Sequence, residues 1–548
     1  MKNLATLRIP EVRMDTGNTD FGAPDPSGVV PLRAVAVRLL TQDNVAIAKI
    51  NLKVGITLAL DTVAHPQRVV LVRQFIPAGH KIALREIGVN EPVLRYGQVI
   101  GFASRAIMPG EHVHTHNLGI QNFAQEYAFG VDVQPVYFVP ESARRTFLGY
   151  RRADGRVGIR NYIAIISTIN CSAHTSRKIA HYFTPERLAA FPNVDGVIAL
   201  TPLSHCSIQI GGPDYVLLQR TLAGMARHPN VGAYLIVGLG CETNQAADLV
   251  ENHGLCYGGA IPVHCPPYLV IQDLGGIRKT VEAGILAVEN LLPVVNTAQR
   301  TPQPISELKL ALQCGGSDGW SGVTANPVVG LVADQVVQQG GTVVLAETPE
   351  IYGAEHLLTR RAISLKVGQK LVAQVRGWEQ YARRLGIEMD NNRSVGNEAG
   401  GLTTIYEKSL GAVAKAGSTP LTEVYDYAEP VIDRGFTFMN SPGYDPVSVT
   451  GQVAGGCNLV LFTTGRGSVF GFKPAPCIKI SSNSTTYERM TDDMDLNAGQ
   501  VLEGVGLEAV AAQLLDLIIA VASGQPSKSE AQGVGEAEFS PWSLEGML

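Results

Sequence analysis

From about residue 147 onward, short and nearly continuous apolar runs alternate with stretches of helical period. The runs are Ile163-Ala-Ile-Ile, Val197-Ile-Ala-Leu, Tyr234-Leu-Ile-Val, Leu308-Lys-Leu-Ala-Leu, Thr342-Val-Val-Leu and Leu459-Val-Leu-Phe, each closing in a Gly-, Ser- or Cys-rich turn. Runs without polar alternation suit parallel strands covered on both faces, and the segments Pro213 to Met225 and Val367 to Arg384 supply covering helices. Residues 32 to 118 read differently: short alternating segments such as Ala34-Val-Ala-Val-Arg-Leu and Arg68-Val-Val-Leu-Val-Arg are punctuated by Lys53-Val-Gly, Pro77-Ala-Gly, Tyr96-Gly and Pro109-Gly. The pattern predicts an α/β protein with a small strand-rich N-terminal domain and a large parallel-sheet region in two parts. The expected boundaries are an irregular extension at 1–30, the small domain at 31–118, a linker at 119–146, a second α/β domain at 147–303 and a C-terminal domain at 304–548.

Composition supports a globular enzyme, with 45% apolar, 17% charged and 6% aromatic residues. The 44 basic and 49 acidic residues are interspersed, so no basic stripe offers itself to nucleic acid. No leader pattern is visible at the N-terminus, and Leu514 to Ala522 is too short to span a bilayer and carries Asp516. A cytoplasmic location and no membrane partner are expected. Eight cysteines without a CxxC pair argue for free thiols rather than a disulfide framework.

In open parallel sheets, ligands gather outside the carboxyl ends of the strands. Cys171, Cys206, Cys241 and Cys314 each follow a predicted strand, so their thiolates are expected to share one crevice and hold iron, as a single ion or an iron–sulfur cluster, or zinc, with unpaired structural thiols as the plain alternative. The loop Cys314-Gly-Gly-Ser-Asp-Gly-Trp-Ser-Gly-Val-Thr-Ala-Asn-Pro combines flexible glycines with Ser317, Asp318 and Asn326. Asp318 and Glu347 are the candidate carboxylates for metal binding or proton transfer, Ser317 and Asn326 candidate substrate contacts. Helix capping is the plain alternative for both acids. Arg466, in Thr463-Thr-Gly-Arg-Gly-Ser, is the candidate clamp for a substrate carboxylate. In the small domain, Gly79-His80-Lys81 occupies a turn, with His80 and Lys81 as candidate acid or base groups. His112, His114 and His116 alternate along a predicted strand, where they either bind metal or face solvent. No GxGxxG, GxxxxGK[ST] or HExxH motif occurs, which argues against dinucleotide, nucleoside triphosphate and zinc-peptidase chemistry.

Several of these segments, in order along the chain, carry a resemblance. They include Gly79-His-Lys-Ile-Ala-Leu, Gly110-Glu-His-Val-His-Thr-His-Asn, Gly238-Leu-Gly-Cys-Glu-Thr-Asn, Cys314-Gly-Gly-Ser-Asp-Gly, Gly400-Gly-Leu-Thr-Thr, Glu407-Lys-Ser-Leu-Gly and Phe462-Thr-Thr-Gly-Arg-Gly. The chain resembles the altronate and galactarate dehydratase family. That resemblance implies a β-clip (SAF-like) N-terminal domain, a second domain linked with dimerisation and a Rossmann-like C-terminal domain. It further implies a divalent metal, iron (Fe2+) foremost, and loss of water from an aldonate or aldarate to give a 2-keto-3-deoxy acid. The expected partners are a small sugar acid and a second copy of the chain, as a homodimer or higher oligomer. A sulfolactate sulfo-lyase is the near alternative, and a non-catalytic sugar-acid-binding protein the distant one. Asn397-Glu-Ala-Gly-Gly replaces the lysine-containing form of that loop in the dehydratases.

Overall fold

The structure, a computed structural model, describes residues 29–60, 69–121, 126–204, 206–255 and 268–544. Most of the expected N-terminal extension, part of the 119–146 linker, Cys256 and Cys265 lie outside the described residues.

The small domain is built on an antiparallel sheet, β1 (Ala36–Val37), β2 (Val45–Ala48), β3 (Lys81–Ala83) and β4 (His112–Val113), ordered β1-β2-β3-β4. All four residues of β2 are buried. Ala34-Val-Ala-Val-Arg-Leu does not form the single strand its alternation predicts: Leu32–Val35 makes a helical turn that buries Leu32 and Val35, and only Ala36–Val37 pairs.

A four-stranded parallel sheet follows, made of β5 (Tyr162–Ser167), β6 (Gly196–Leu200), β7 (Val231–Gly238) and β8 (Tyr268–Val270), ordered β6-β5-β7-β8. Side chains alternate across β5 with period two. Ile163 and Ile165 join a core with Ile179, Val288 and Leu292, from the helices α1 (Ala173–Tyr182) and α3 (Ile277–Val295). Ala164 and Ile166 face the other way, into a core with Leu218 and Leu222 of α2 (Pro213–Ala226). That second core continues into the C-terminal part through Val449, Val453, Val460 and Phe462. Both faces of β5 are therefore dry, which is why its sequence shows no polar alternation.

The largest sheet has seven parallel strands: β9 (Lys309–Cys314), β10 (Thr342–Ala346), β11 (Leu421–Tyr425), β12 (Gly435–Met439), β13 (Leu459–Thr464), β14 (Cys477–Ser481) and β15 (Leu496–Asn497). Their order is β11-β12-β10-β9-β13-β14-β15. Helices α4 (Ala325–Gln338) and α8 (Leu507–Ala522) cover one face through Val328, Val332, Val336, Val510, Leu514 and Ile518, while α7 (Asp445–Ala454) covers the other. The chain runs from β9 outward to β10 on one side and later returns to β13 on the other. The strand order thus reverses between β9 and β13, and a crevice opens at the carboxyl ends of such a pair. Those ends carry Cys314-Gly315-Gly316 and Thr464-Gly465-Arg466. No helix among the described residues is long and apolar enough to cross a membrane.

Candidate active site

The small domain reaches this crevice through the turn before β3. Two glycines make the approach possible: a methyl group added at Gly319 or Gly401 would lie 2.2 Å from the Gly79 carbonyl oxygen, and Gly401 also has a left-handed φ of +96°. Beneath the contact, Lys81 donates to Glu407 Oε2 at 2.9 Å and to the Gly401 carbonyl at 2.6 Å. Arg95 donates to Glu407 Oε1 at 2.5 Å and to the Gly319 carbonyl at 2.6 Å. Glu407, on the helix Ile405–Val413, is fully buried, and burial pushes its carboxyl up; Lys81 and Arg95 overcome that and hold it at about 2. Burial lowers Lys81 to about 8 despite the pull of Glu407, so both groups are charged at neutral pH. Lys81 is therefore committed to docking one domain on the other rather than facing the crevice.

His80 is buried at the same contact, and its Nε2 lies 3.3 Å from the Ala399 carbonyl oxygen. Its Nδ1 lies 3.0 Å from Nε2 of His112. His112 and His114, two residues apart, project from the same side of β4 and its extension, and their rings stack with centroids 5.3 Å apart. Ligand atoms of His80, His112 and His114 all fall within 4.8 Å of one another, the one such trio of candidate metal ligands among the described residues. Burial and then the neighbouring imidazoles lower His112 to about 3. Burial, then Lys81 and His80, lower His114 to about 4. Neutral imidazoles packed ring to ring are ready-made nitrogen donors, and His114 Nδ1 is buried without a hydrogen-bond partner among the described residues. These observations fit a divalent metal held by three histidines.

The loop after β9 forms the opposite wall. Asp318 Oδ1 accepts from the Trp320 and Ser321 amides and from the Ser321 and Ser482 hydroxyls, and Oδ2 accepts from Asn483 Nδ2. Five donors fully occupy this carboxylate, which shapes the loop. Asn326 is occupied as well, donating to the Gly411 carbonyl and accepting from Thr463. Ser317 offers its carbonyl to Asn397 Nδ2 at 2.8 Å. Arg466 is different. It is exposed, its backbone amide donates to the Gly316 carbonyl, and its guanidinium has no hydrogen-bond or ion-pair partner among the described residues. Its Cδ lies 3.3 Å from where a Gly400 side chain would start, and its charge contributes to lowering His80.

Below the loop sits a cluster of buried ionisable groups. Lys415 donates to Cys314 Sγ at 2.7 Å, and Lys408 donates to Glu350 Oε1 at 2.6 Å. Burial pushes the Cys314 thiol up to about 12, so it stays protonated. Burial also raises Glu350, but Lys408 and Lys415 outweigh it and keep that carboxyl ionised. Glu347 has no such cation in contact among the described residues: burial, then the charges of Glu350 and Asp445, raise it well above the carboxylate range. Its Oε1 is buried without a partner among the described residues, and its backbone is left-handed at φ 71°. Asp445, at the start of α7, is raised by burial and then by Glu350 to about 7. A side chain on Gly315 would begin 2.5 Å from Asp445 Oδ2, and one on Gly316 would begin 3.5 Å from Arg466 Cβ. Gly315 and Gly316 thus form a bare floor between a carboxyl poised near neutrality and an unpaired guanidinium.

The four cysteines are not brought to one place. Cys314 is buried on β9 against Lys415, whereas Cys171, Cys206 and Cys241 are exposed on loops of the other parallel sheet. The expected four-thiolate centre is replaced at the crevice by imidazoles. His116 lies outside the trio, its ring 5.4 Å from that of His112. A separate open hollow of about 970 Å³, lined by Val133, Pro304, Gly341 and Gly435, lies toward the amino ends of the strands, away from these groups.

Comparison with known proteins bears on the whole chain. Residues 34–121 match the altronate/galactarate dehydratase SAF domain, 149–296 the second domain of D-galactarate dehydratase/altronate hydrolase, and 305–546 the C-terminal domain of D-galactarate/altronate dehydratase. Altronate dehydratase of Escherichia coli (strain K12) is 36% identical over 495 residues, covering 90% of this chain and 96% of that protein. Altronate dehydratase of Bacillus subtilis (strain 168) is 36% identical over 89% of this chain and 95% of its own length. The protein belongs to the altronate/galactarate dehydratase family. Galactarate dehydratase (L-threo-forming) of E. coli is 35% identical over 82% of this chain and 87% of that protein.

Against this family background, the groups that sequence reasoning missed are Lys415 and Asp445, together with the role of Lys408. Neither Lys415 nor Asp445 sits in a motif with chemical meaning; only the sheet topology brings them beneath the loop after β9. The histidine pair left a signal, the alternation at 112 and 114, but its partner His80 is 32 residues away and joins only through the pairing of β3 with β4.

Proposed function

We propose that this protein is a hydro-lyase that removes water from an aldonate or aldarate, altronate first and galactarate next, to give a 2-keto-3-deoxy acid. The observation that carries the reading is the crevice at the β9/β13 reversal, where Asp445 and Arg466 flank a floor of two glycines and the histidine trio lies at the adjoining domain contact. The reversal itself supports the Rossmann-like description of the C-terminal region. Family membership across nine-tenths of the chain supports the reaction class.

Elimination next to a carboxylate needs a fixed cation for that carboxylate, a base for the weakly acidic α-proton and help for the departing hydroxide. Arg466 pairs with the carboxylate, its planar fork matching two oxygens at once. Asp445, near pKa 7, takes the α-proton at Oδ2 over the open backbone of Gly315. Lys408 and Lys415 hold positive charge below the floor, where negative charge grows as the proton leaves. Glu347, kept protonated, keeps a proton available within the same buried cluster. His80, His112 and His114 would hold a divalent cation, which supplies Lewis-acid polarisation of the leaving hydroxyl; imidazole donors suit iron as well as zinc or manganese. Function in the cytoplasm as a homo-oligomer belongs to the same reading.

Two measurements test the assignments inside the crevice. Arg466→Lys should raise KM for a sugar acid by roughly 10- to 100-fold with a smaller fall in kcat, because lysine keeps the charge but loses the bidentate fork. An unchanged KM would remove Arg466 from substrate binding. For Asp445→Asn, kcat should fall by about 10²- to 10⁴-fold. The wild-type kcat/KM should rise with pH through about 7, where Asp445 gives up its proton, and the variant should lack that limb. Persistence of the limb would assign the base elsewhere. The whole reading is tested by a panel of aldonates and aldarates incubated anaerobically with ferrous iron, with keto-acid product detected. Sulfite release from sulfolactate, with no keto acid formed from any aldonate or aldarate, would assign the sulfo-lyase reaction, and ligand binding without turnover a binding protein.

A further inference from the structure

The last described stretch of the chain, residues 532–544, forms neither helix nor strand, yet it is fastened along its length. Pinning an irregular segment has an entropic cost at every residue, and buried contacts must offset it. Glu536 meets Lys473 at 3.2 Å and His181 of α1 at 3.0 Å. Phe539, 3% exposed, joins the core that α2 and α7 share. The Ser540 amide donates to the Thr450 hydroxyl of α7 at 3.0 Å. At the far end the Ser543 hydroxyl and the Leu544 amide donate to the two carboxylate oxygens of Asp214, in the first turn of α2. The segment is a strap laid across both parallel-sheet parts.

Trp542 is where the strap connects with the crevice groups. Its indole stacks on Trp378 of the helix Leu365–Leu385, with ring centroids 5.4 Å apart and planes within 7°, and lies edge-to-face on Tyr427 at 5.5 Å. The Trp542 amide donates to the Tyr427 hydroxyl at 3.3 Å, and that hydroxyl donates to the Val447 carbonyl at 2.8 Å. Val447 lies in the first turn of α7, two residues after Asp445. The Tyr427 ring also packs on α7 at Gly451, where an added methyl group would lie 2.5 Å from it. Trp378, the other partner, donates from Nε1 to Asn440 Oδ1 at 2.9 Å, and the Thr348 hydroxyl donates to the same oxygen at 2.7 Å. Next along the chain, Ser441 Oγ accepts from the Glu347 amide at 3.0 Å and lies 2.8 Å from Ser448 Oγ of α7. Asn440 follows β12 and Glu347 follows β10, on the same carboxyl-end edge where the crevice opens. Two short chains of contacts, one to α7 and one to the left-handed turn at Glu347, therefore start from a single indole.

We infer that Trp542 is a positioning residue for proton transfer: by closing on Trp378 and Tyr427 it sets the first turn of α7, which carries Asp445, against the turn at Glu347. This rests on the role of Asp445 as base. Trp542 acts through backbone on either side of that carboxyl and not on the substrate. A strap serving only to join the two sheet parts would need Phe539 and the contacts to Asp214; the bonds through Tyr427 and Trp378 run on to the strand ends instead. Placement matters there because a base displaced by about 1 Å can cost on the order of 10²-fold in rate.

The test compares Trp542→Ala, Trp542→Phe and Tyr427→Phe with the wild type, each as the full chain. Trp542→Ala should lower kcat by roughly 10- to 100-fold and leave KM for the sugar acid within about threefold, because Arg466 lies outside both chains of contacts. The pH limb of kcat/KM reports Asp445 among Glu350, Lys408 and Lys415; it should move down from about 7 by roughly half a pH unit or more, since a loosened turn lets water reach the carboxyl. Trp542→Phe, which keeps a flat ring for Trp378, should restore most of the lost kcat. Tyr427→Phe keeps the buried ring, removes only the bridging hydroxyl and should lower kcat by about 3- to 10-fold. Amide hydrogen exchange needs no turnover: in Trp542→Ala it should quicken at least about tenfold at residues 447–450 and 347–351 and stay at the wild-type rate in β5. Unchanged kcat and pH limb in Trp542→Ala, or unchanged exchange at both turns, would overturn the positioning role while leaving Asp445 as base, provided that Asp445→Asn abolishes the limb. A limb that survives in Asp445→Asn would take the base assignment and this inference down together.

Discussion

Replacing His112 by alanine should lower turnover on the order of 10³-fold while leaving the folded chain intact. His112 is the central member of the trio: its Nε2 meets His80 Nδ1 at 3.0 Å, and its ring stacks on that of His114. Two donors on one short strand cannot close a metal site alone, and removing the central imidazole leaves His80 and His114 without their common neighbour. The cost to folding should be small, because His112 is only partly buried and its ring makes no hydrogen bond beyond the trio among the described residues. Metal titration by calorimetry should show divalent affinity reduced at least tenfold, and the circular dichroism spectrum should match that of the wild type. His116→Ala, in the turn that follows β4, should retain affinity and turnover. Equal losses in the two variants would mean that the histidine run acts as a general polar surface, not as a ligand set.

The parallel-sheet region was legible because its strands are dry on both faces. Ile163, Val197, Tyr234, Leu310, Val343 and Val460 all fall in strands where the apolar runs predicted them. Strands of the same sheet with polar or turn-rich sequence were not legible: Leu421–Tyr425 carries Thr422 and Glu423, and Cys477–Ser481 hides a lysine in its centre. Lys479 is buried and satisfied by the Phe470 carbonyl and Ser529, a partnership no local pattern announces. The loops after β9 and β13 were singled out by their position at strand ends, and the structure places both at the strand reversal, but the hydrogen bonding within them was not legible. Asp318 and Arg466 both stand out in sequence, yet Asp318 accepts from five donors while the Arg466 guanidinium is left unpaired among the described residues. That difference depends on Ser482 and Asn483, more than 160 residues from Asp318, and so on tertiary contact alone. The thiols follow the same logic. Cys171, Cys206 and Cys241 follow strands of one sheet, whereas Cys314 is the last residue of a strand in the other, so the four are not delivered to one place.

Glu407→Gln should be the most destabilising single change at the domain contact, costing about 3–5 kcal/mol. The loss comes from what is left behind. Lys81 and Arg95 are essentially inaccessible to water, and without the carboxylate both cations are buried beside a neutral amide that can accept from only one of them. Lys81, already lowered to about 8 by burial, would then give up its proton more readily. The acid limb of stability follows from the same group. Its folded value of about 2 lies below the ordinary 4.5, so its contribution is fully present above pH 4.5 and is lost as pH falls toward 2. Wild-type stability, followed by denaturant unfolding, should therefore fall across that window, and the variant should start lower and show a shallower slope. The second consequence is functional. Lys81 adjoins His80, and Arg95 holds the Gly319 carbonyl, so a loosened contact moves the histidine trio relative to the Arg466 wall. Turnover should fall even at temperatures where the variant remains folded, with metal affinity at the trio preserved because His80, His112 and His114 all belong to the small domain. A variant as stable as the wild type across the acid range would show that the triad does not fasten the two domains.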